Sequence, residues 1–183
     1  HLVINGLSHQ QQPGDIYCLK GPNGAGKSTL LRTIANRLPV AYGQIFCPVP
    51  VVYVGHDDGL SGSISGRQNL KGWAKINGFD CPAATIDNAL ASFATTRFAN
   101  ISTQRLSRGQ RRRLALARLN LTPPNSLWLL DEPNASLDQD TNAMLDAAVI
   151  AHAESGGMVL AATHFEIAAA ASPGTITLPE RPE

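Results

Sequence analysis

The chain has 183 residues, enough for one domain with a buried core. Hydrophobic residues make up 43% and charged residues 16%, a balance that argues against intrinsic disorder. The net charge of +1 argues against a dedicated nucleic-acid binder, whose domain would be clearly basic, so no nucleic-acid partner is expected. Cys18, Cys47 and Cys81 have no zinc or redox spacing and read as buried or free thiols of a reducing compartment. No stretch reaches the roughly 18–20 uninterrupted apolar residues that cross a bilayer. The longest, 158–171, is broken by His164 and Glu166, so the chain is not expected to span a membrane by itself. It opens at His1 without a charged-then-apolar leader, and we expect a trimmed or partial N-terminus.

In chain order, Asp15–Lys20 follows the turn signal Pro13-Gly14 and reads as a strand. A Gly-rich loop, Gly21–Gly26, precedes a helix over 27–38, whose apolar positions Leu30, Leu31, Ile34 and Leu38 repeat at helical spacing until Pro39 stops it. A second apolar strand covers 50–54. From Asp57 to about Arg105 the chain turns polar, Ala-rich and helical in parts, which reads as an inserted helical subdomain. A helix over 106–121 carries Arg on one side and Leu and Ala on the other. A strand over 126–130, a helix over 138–154, a strand over 158–163 and a further short strand near 175–178 complete the chain. Strands alternating with helices indicate an α/β fold with a mostly parallel sheet. Residues 1–56 and 106–183 would form the sheet-bearing core and 57–105 the helical subdomain of a single domain.

Gly21-Pro22-Asn23-Gly24-Ala25-Gly26-Lys27-Ser28 matches the full phosphate-loop pattern, with Thr29 next in the helix. Glycines let the backbone turn so that its N–H groups surround phosphate oxygens. The helix that follows directs its positive end at the same anion. Lys27 would place a cation on the β- and γ-phosphates, and Ser28 would offer a hydroxyl to Mg²⁺. Residues 127–132, Leu-Trp-Leu-Leu-Asp-Glu, form an apolar strand ending in two acids. Ligands of parallel sheets sit at the carboxyl ends of strands. There Asp131 would hold Mg²⁺, through water, and Glu132 would polarise the attacking water.

Leu106-Ser107-Arg108-Gly109-Gln110 opens the Arg-bearing helix. With the phosphate loop before it and the acidic strand after it, the chain resembles the ATP-binding cassette family, whose signature is Leu-Ser-x-Gly-Gln. The resemblance runs in order through the phosphate loop, the signature, the acidic strand, the Ser136-Leu137-Asp138 turn and His164, and so covers nearly the whole chain. It implies a P-loop ATPase that binds ATP and Mg²⁺ between two cassettes paired head to tail. Each signature then meets the nucleotide held by the other copy's phosphate loop. Asp138 would couple the two sites. His164, at the end of its strand, would contact the γ-phosphate and hold the attacking water with Glu132. The run Arg111-Arg112-Arg113 reads as a solvated helix face or part of the phosphate-facing surface rather than a nucleic-acid patch.

Two departures from the family pattern stand out. Most cassettes carry Gln at the end of the second core strand; here His56 stands there and is expected near the nucleotide, since neutral imidazole can accept a hydrogen bond or bind metal. Tyr53-Val54-Gly55-His56, then Asn69-Leu70, look like the haem-exporter ATP-binding subunits of cytochrome c maturation. Too few residues precede Gly14 for the usual antiparallel strand pair with its adenine-stacking aromatic, so that part of the sheet is expected to be reduced. The implied function is an ATPase of a membrane exporter, peripheral to the cytoplasmic side of the inner membrane, acting as a homodimer on integral permease subunits. The alternatives are the motor of another transporter, a soluble non-transport cassette, or a non-hydrolysing regulatory cassette. The insert after His56 is only about 50 residues and lacks sustained heptads, which disfavours a repair-type coiled coil.

Overall fold

The computed structural model describes residues 4–135, 137–164 and 167–180. Its strands are β1 (Ile16–Lys20), β2 (Val51–Val54), β3 (Leu127–Asp131), β4 (Met158–Ala162) and β5 (Gly174–Thr177). They form one sheet in the order β2-β3-β4-β1-β5, and every pairing is parallel. Parallel strands are covered on both faces and read as continuous apolar runs. β3 and β4 are accordingly buried at all five of their positions. In the β2–β3 register Tyr53 lies opposite Leu129 and Val54 opposite Leu130. In the β3–β4 register Asp131 lies opposite Ala162.

Among the described residues no antiparallel strand joins this sheet. Residues 38–50 have no helix or strand and leave Tyr42 and Phe46 almost fully exposed, with Leu38, Val40 and Ile45 partly so.

The α-helices are α1 (Lys27–Ile34), α2 (Gly66–Ile76), α3 (Ala83–Ser92), α4 (Arg108–Leu116) and α5 (Gln139–Glu154). Two of them end earlier than the apolar spacing predicts. α1 stops at Ile34 because Asn36 takes a left-handed conformation (φ 55°). The Arg37 N–H then bonds the Arg32 carbonyl and the Asn36 N–H the Thr33 carbonyl, the paired bonds of a Schellman end. α4 gives way at Ala117 to a 3₁₀ segment, Ala117–Leu121, which keeps Leu119 and Leu121 buried.

Contacts divide the chain into two units. One comprises His1–His56, Pro124–Pro133 and Val149–Glu183; the other comprises Asp57–Pro123 and Asn134–Ala148. The first holds the sheet and a core of Leu19, Leu31, Leu129, Leu160 and Ile176. The second is helical, with Leu70, Ile86, Leu90, Phe93, Leu114 and Leu116 fully buried. Residues 106–123 and the start of α5 pack with the 57–105 segment, because the apolar face of α4 and its 3₁₀ extension supplies part of that core. Asn69 clasps the loop before α2: its amide donates to the carbonyls of Ser61, Ile64 and Ser65 and its oxygen accepts from the Ser61 N–H.

The arginine run is not a wholly solvated face, because its middle member is buried. Arg112 is 3% exposed, with its guanidinium 3.7 Å from Asp58. Arg113 pairs with Asp138. Nearby, Arg118 donates to the Gly59 carbonyl and lies over the Trp73 ring, and burial lowers its pKa to about 10. The aliphatic stems of these arginines suit a helix interface, and the carboxylates and carbonyls around them compensate the charge. The thiol of Cys18 is buried, and Cys47 and Cys81 are half-buried, all unbridged.

In the first unit the His152 ring stacks on Trp128 at 3.8 Å, with 4° between the planes, and its Nε2 lies 2.9 Å from the Ser126 carbonyl. A Cβ at Gly157 would stand 2.2 Å from that nitrogen, so only glycine leaves room for the ring. Burial lowers the His152 pKa below its ordinary value. Below about pH 6.5 the unfolded chain therefore binds a proton that the folded chain refuses, and stability falls as pH falls. Thermal melting at pH 7.5 and 5.5 should show a larger drop in Tm for the wild type than for His152→Phe. Equal drops in the two proteins would remove His152 from the acid response.

Candidate nucleotide-binding site

The phosphate loop bridges the end of β1 and the start of α1. Gly21, Gly24 and Gly26 all have positive φ, 148°, 82° and 102°. At Gly21 the need is also steric, since a Cβ would stand 2.7 Å from the Leu178 carbonyl. Gly26 forms the left-handed entry to α1, and its carbonyl accepts from the Leu30 N–H. The Lys27 ammonium is buried and donates to the carbonyls of Gly21 (2.7 Å) and Pro22 (3.0 Å). Those bonds compensate its charge and hold it in the loop at the helix N-terminus, where backbone N–H groups also converge. Ala25 is buried beneath the loop, Asn23 is exposed at its tip, and Thr29 is half-buried in the first turn of α1.

The Ser28 hydroxyl donates to Asp131 Oδ1 at 2.9 Å, which ties the start of α1 to the end of β3. Asp131 Oδ2 accepts from the Tyr53 hydroxyl at 3.0 Å. The sequence marks Tyr53 only as part of the Tyr53-Val54-Gly55-His56 run and not as a site residue. Its signal is a polar-tipped aromatic at the carboxyl end of β2, and its relevance depends on β2 lying beside β3. Burial raises the Tyr53 pKa above its ordinary value, so the phenol is a donor at neutral pH.

Glu132 follows β3 with φ 49°, and its N–H bonds the Ala162 carbonyl of β4. This turn carries its carboxylate to 3.5 Å from His164 Nε2, just beyond the end of β4. The structure thus brings Lys27, Ser28, Asp131, Glu132 and His164 to one end of the sheet within the first unit. His56 follows β2, is exposed, and makes no hydrogen bond to the described residues.

The signature segment lies in the second unit. Ser107 caps α4: its hydroxyl accepts from the Gln110 N–H (3.2 Å), and the Gln110 side-chain oxygen accepts from the Ser107 N–H (2.9 Å). The Ser-x-x-Gln spacing therefore forms a capping box. Leu106 anchors the segment in the core, Ser107 and Arg108 are exposed, and Gly109 lies in the first turn. Asp138 caps α5 through the N–H and hydroxyl of Thr141 and pairs with Arg113. The Thr141 hydroxyl and N–H, with Arg113, hold its carboxyl below the usual range. Ser136, part of the turn named from the sequence, lies outside the described residues.

Residues 4–135 match the family described as ABC transporter. The chain belongs to the ABC transporter family. Within that family it is an ATP-binding and ATP-hydrolysing subunit. It is 44% identical to the cytochrome c biogenesis ATP-binding export protein CcmA of Ruegeria pomeroyi, over 90% of this chain and 79% of that one. The protein of the same name from Rhodobacter capsulatus is 41% identical, over 90% and 75%. Among solved structures, the ATP-binding cassette MJ0796, a dimer bound to ADP and Pi in a post-hydrolysis state, superposes with a TM-score of 0.82 at 22% identity, covering 96% of this chain and 86% of that one. A putative ABC transporter ATP-binding protein from Pyrococcus furiosus gives 0.78 at 24% identity, covering 91% and 86%. Both share the α/β P-loop fold of this ABC chain. No helix among its described residues is long and apolar enough to cross a membrane.

Replacing an N-cap serine by alanine costs about 1 kcal/mol. Ser107→Ala should lower the urea midpoint correspondingly, while Ser107→Asp, which can still accept from the Gln110 N–H, should hold it near wild type. An unchanged midpoint in the alanine variant would show that the cap contributes nothing to stability.

Proposed function

We propose that this ABC subunit drives an exporter required for cytochrome c biogenesis, with haem as the exported group. The observation that carries the reading is its 44% identity, over nine-tenths of the chain, to a protein named for that process. The Tyr53-Val54-Gly55-His56 run and Asn69-Leu70 support it. In this reading the chain is peripheral to the cytoplasmic side of the inner membrane and acts on integral permease subunits through a dimer of two copies.

ATP is held in the phosphate loop by Gly21, Pro22, Asn23, Gly24, Ala25 and Gly26, with Lys27, Ser28 and Thr29 at the head of α1. Mg²⁺ takes oxygen ligands and is often held by one or two carboxylates plus substrate phosphates. Ser28 Oγ and Asp131 Oδ1, 2.9 Å apart, fit that donor set. When bound, the cation would neutralise charge on the β- and γ-phosphates. Glu132 accepts the proton of the attacking water, and His164, beside it, holds that water and the γ-phosphate. His56 stands near the nucleotide in place of the usual Gln. Leu106, Ser107, Arg108, Gly109 and Gln110 of one copy meet the nucleotide held by the other. There the first-turn N–H groups of α4 favour the negative γ-phosphate. Asp138 couples the two sites across the dimer. ATP binds the closed dimer more tightly than the open one, which lets it drive the permease.

Glu132→Gln should abolish turnover while retaining ATP binding and accumulating an ATP-bound dimer on size exclusion. Normal turnover in that variant would remove Glu132 from the chemistry. Deletion of the gene should deplete haem-bound c-type cytochromes, measured by haem staining, and restoration should require an intact Lys27. An unchanged cytochrome level would reject the export assignment and leave the ATPase standing.

A further inference from the structure

Tyr53 lies on the face of the sheet that packs against α1, and three contacts fix its ring. The Arg37 guanidinium stands 4.6 Å over the ring centre. Arg32 Nε donates to its hydroxyl at 3.4 Å. The hydroxyl in turn donates its own proton to Asp131 Oδ2 at 3.0 Å. Gly55 completes the setting: a Cβ there would stand 2.8 Å from the ring edge and 2.9 Å from the hydroxyl oxygen. Gly55 shows no positive φ, so its lack of a side chain serves the tyrosine and not the turn.

Asp131 is 2% exposed, and its two oxygens are divided between two hydroxyls, Ser28 on Oδ1 and Tyr53 on Oδ2. The two donors are not equivalent. Ser28 is itself placed to ligate a cation, and a hydroxyl that turns to a metal releases the carboxylate oxygen it was holding. Tyr53 reaches Asp131 at the opposite oxygen and has its own contacts to Arg32 and Arg37, so its bond does not pass through Ser28.

Resting on the function proposed above, we propose that Tyr53 is a positioning residue for the divalent cation. It locks the plane of the Asp131 carboxylate so that Oδ1 faces Ser28, and Gly55, lacking a Cβ, leaves room for its ring. Outer partners that orient a ligand typically alter metal affinity by about 10–100-fold when removed.

The test separates the cation from the nucleotide. Binding of a fluorescent ATP analogue is titrated in EDTA and then across a Mg²⁺ series, on full-length wild type, Tyr53→Phe and Gly55→Ala, with thermal melts to establish folding. Tyr53→Phe should raise the Mg²⁺ concentration for half-maximal effect about tenfold, the lower end of that range, and leave the Mg²⁺-free affinity unchanged. Gly55→Ala should shift it in the same direction, and the double variant should shift it no further than the larger single effect, because both act through one bond. A Mg²⁺ requirement within about twofold of wild type in Tyr53→Phe overturns the proposal, as does an equal loss of affinity with and without Mg²⁺. Wild-type nucleotide binding that ignores Mg²⁺ overturns this proposal and the metal-dependent reading of the site together.

Discussion

Asp131 carries a carboxylate into the end of the sheet with almost no access to water. Leaving such a charge uncompensated would cost several kcal/mol, so the surrounding chain is organised around its two oxygens. One is taken by Ser28 at the head of α1 and the other by Tyr53 at the end of β2. Those bonds hold the phosphate loop, the second strand and the acidic strand in one arrangement. Glu132 and His164 are then placed by the next residues of β3 and by the end of the adjacent β4. The arrangement of Ser28, Tyr53 and the acidic strand end thus follows from satisfying one buried acid.

Much of this was legible in the sequence because it is written locally. The phosphate loop declares itself by glycines whose positive φ the structure shows at Gly21, Gly24 and Gly26. The strand ending in Asp131 and Glu132 is marked by an unbroken apolar run, and both its neighbours in the sheet read as strands. Helix starts were placed within a residue or two, since Ser107 and Asp138 cap with their own side chains.

What the sequence did not disclose depends on contacts between distant segments. Tyr53 and Asp131 are 78 residues apart and meet only because β2 neighbours β3, an order no local pattern encodes. The burial of Arg112 likewise depends on Asp58, which lies far before it in the chain. The early end of α1 came from one left-handed asparagine, Asn36, which overrode the apolar spacing that runs on to Leu38. Residues 106–123 group with the helical unit for a similar reason: their amphipathic face is visible in sequence, but which core it fills is not.

The backbone at Glu132 has a consequence of its own. A non-glycine residue with φ 49° sits in a conformation that glycine or asparagine adopts more readily, and a bond to the Ala162 carbonyl of β4 holds it there. On folding grounds alone, selection would favour a smaller residue at this turn. A glutamate here carries local strain, and the catalytic role proposed for it would make that strain a stability–activity compromise confined to a single peptide unit. On the role proposed for Glu132, stabilising libraries screened only for thermal resistance would tend to accumulate glycine at this position, trading the catalytic carboxylate for a relaxed backbone.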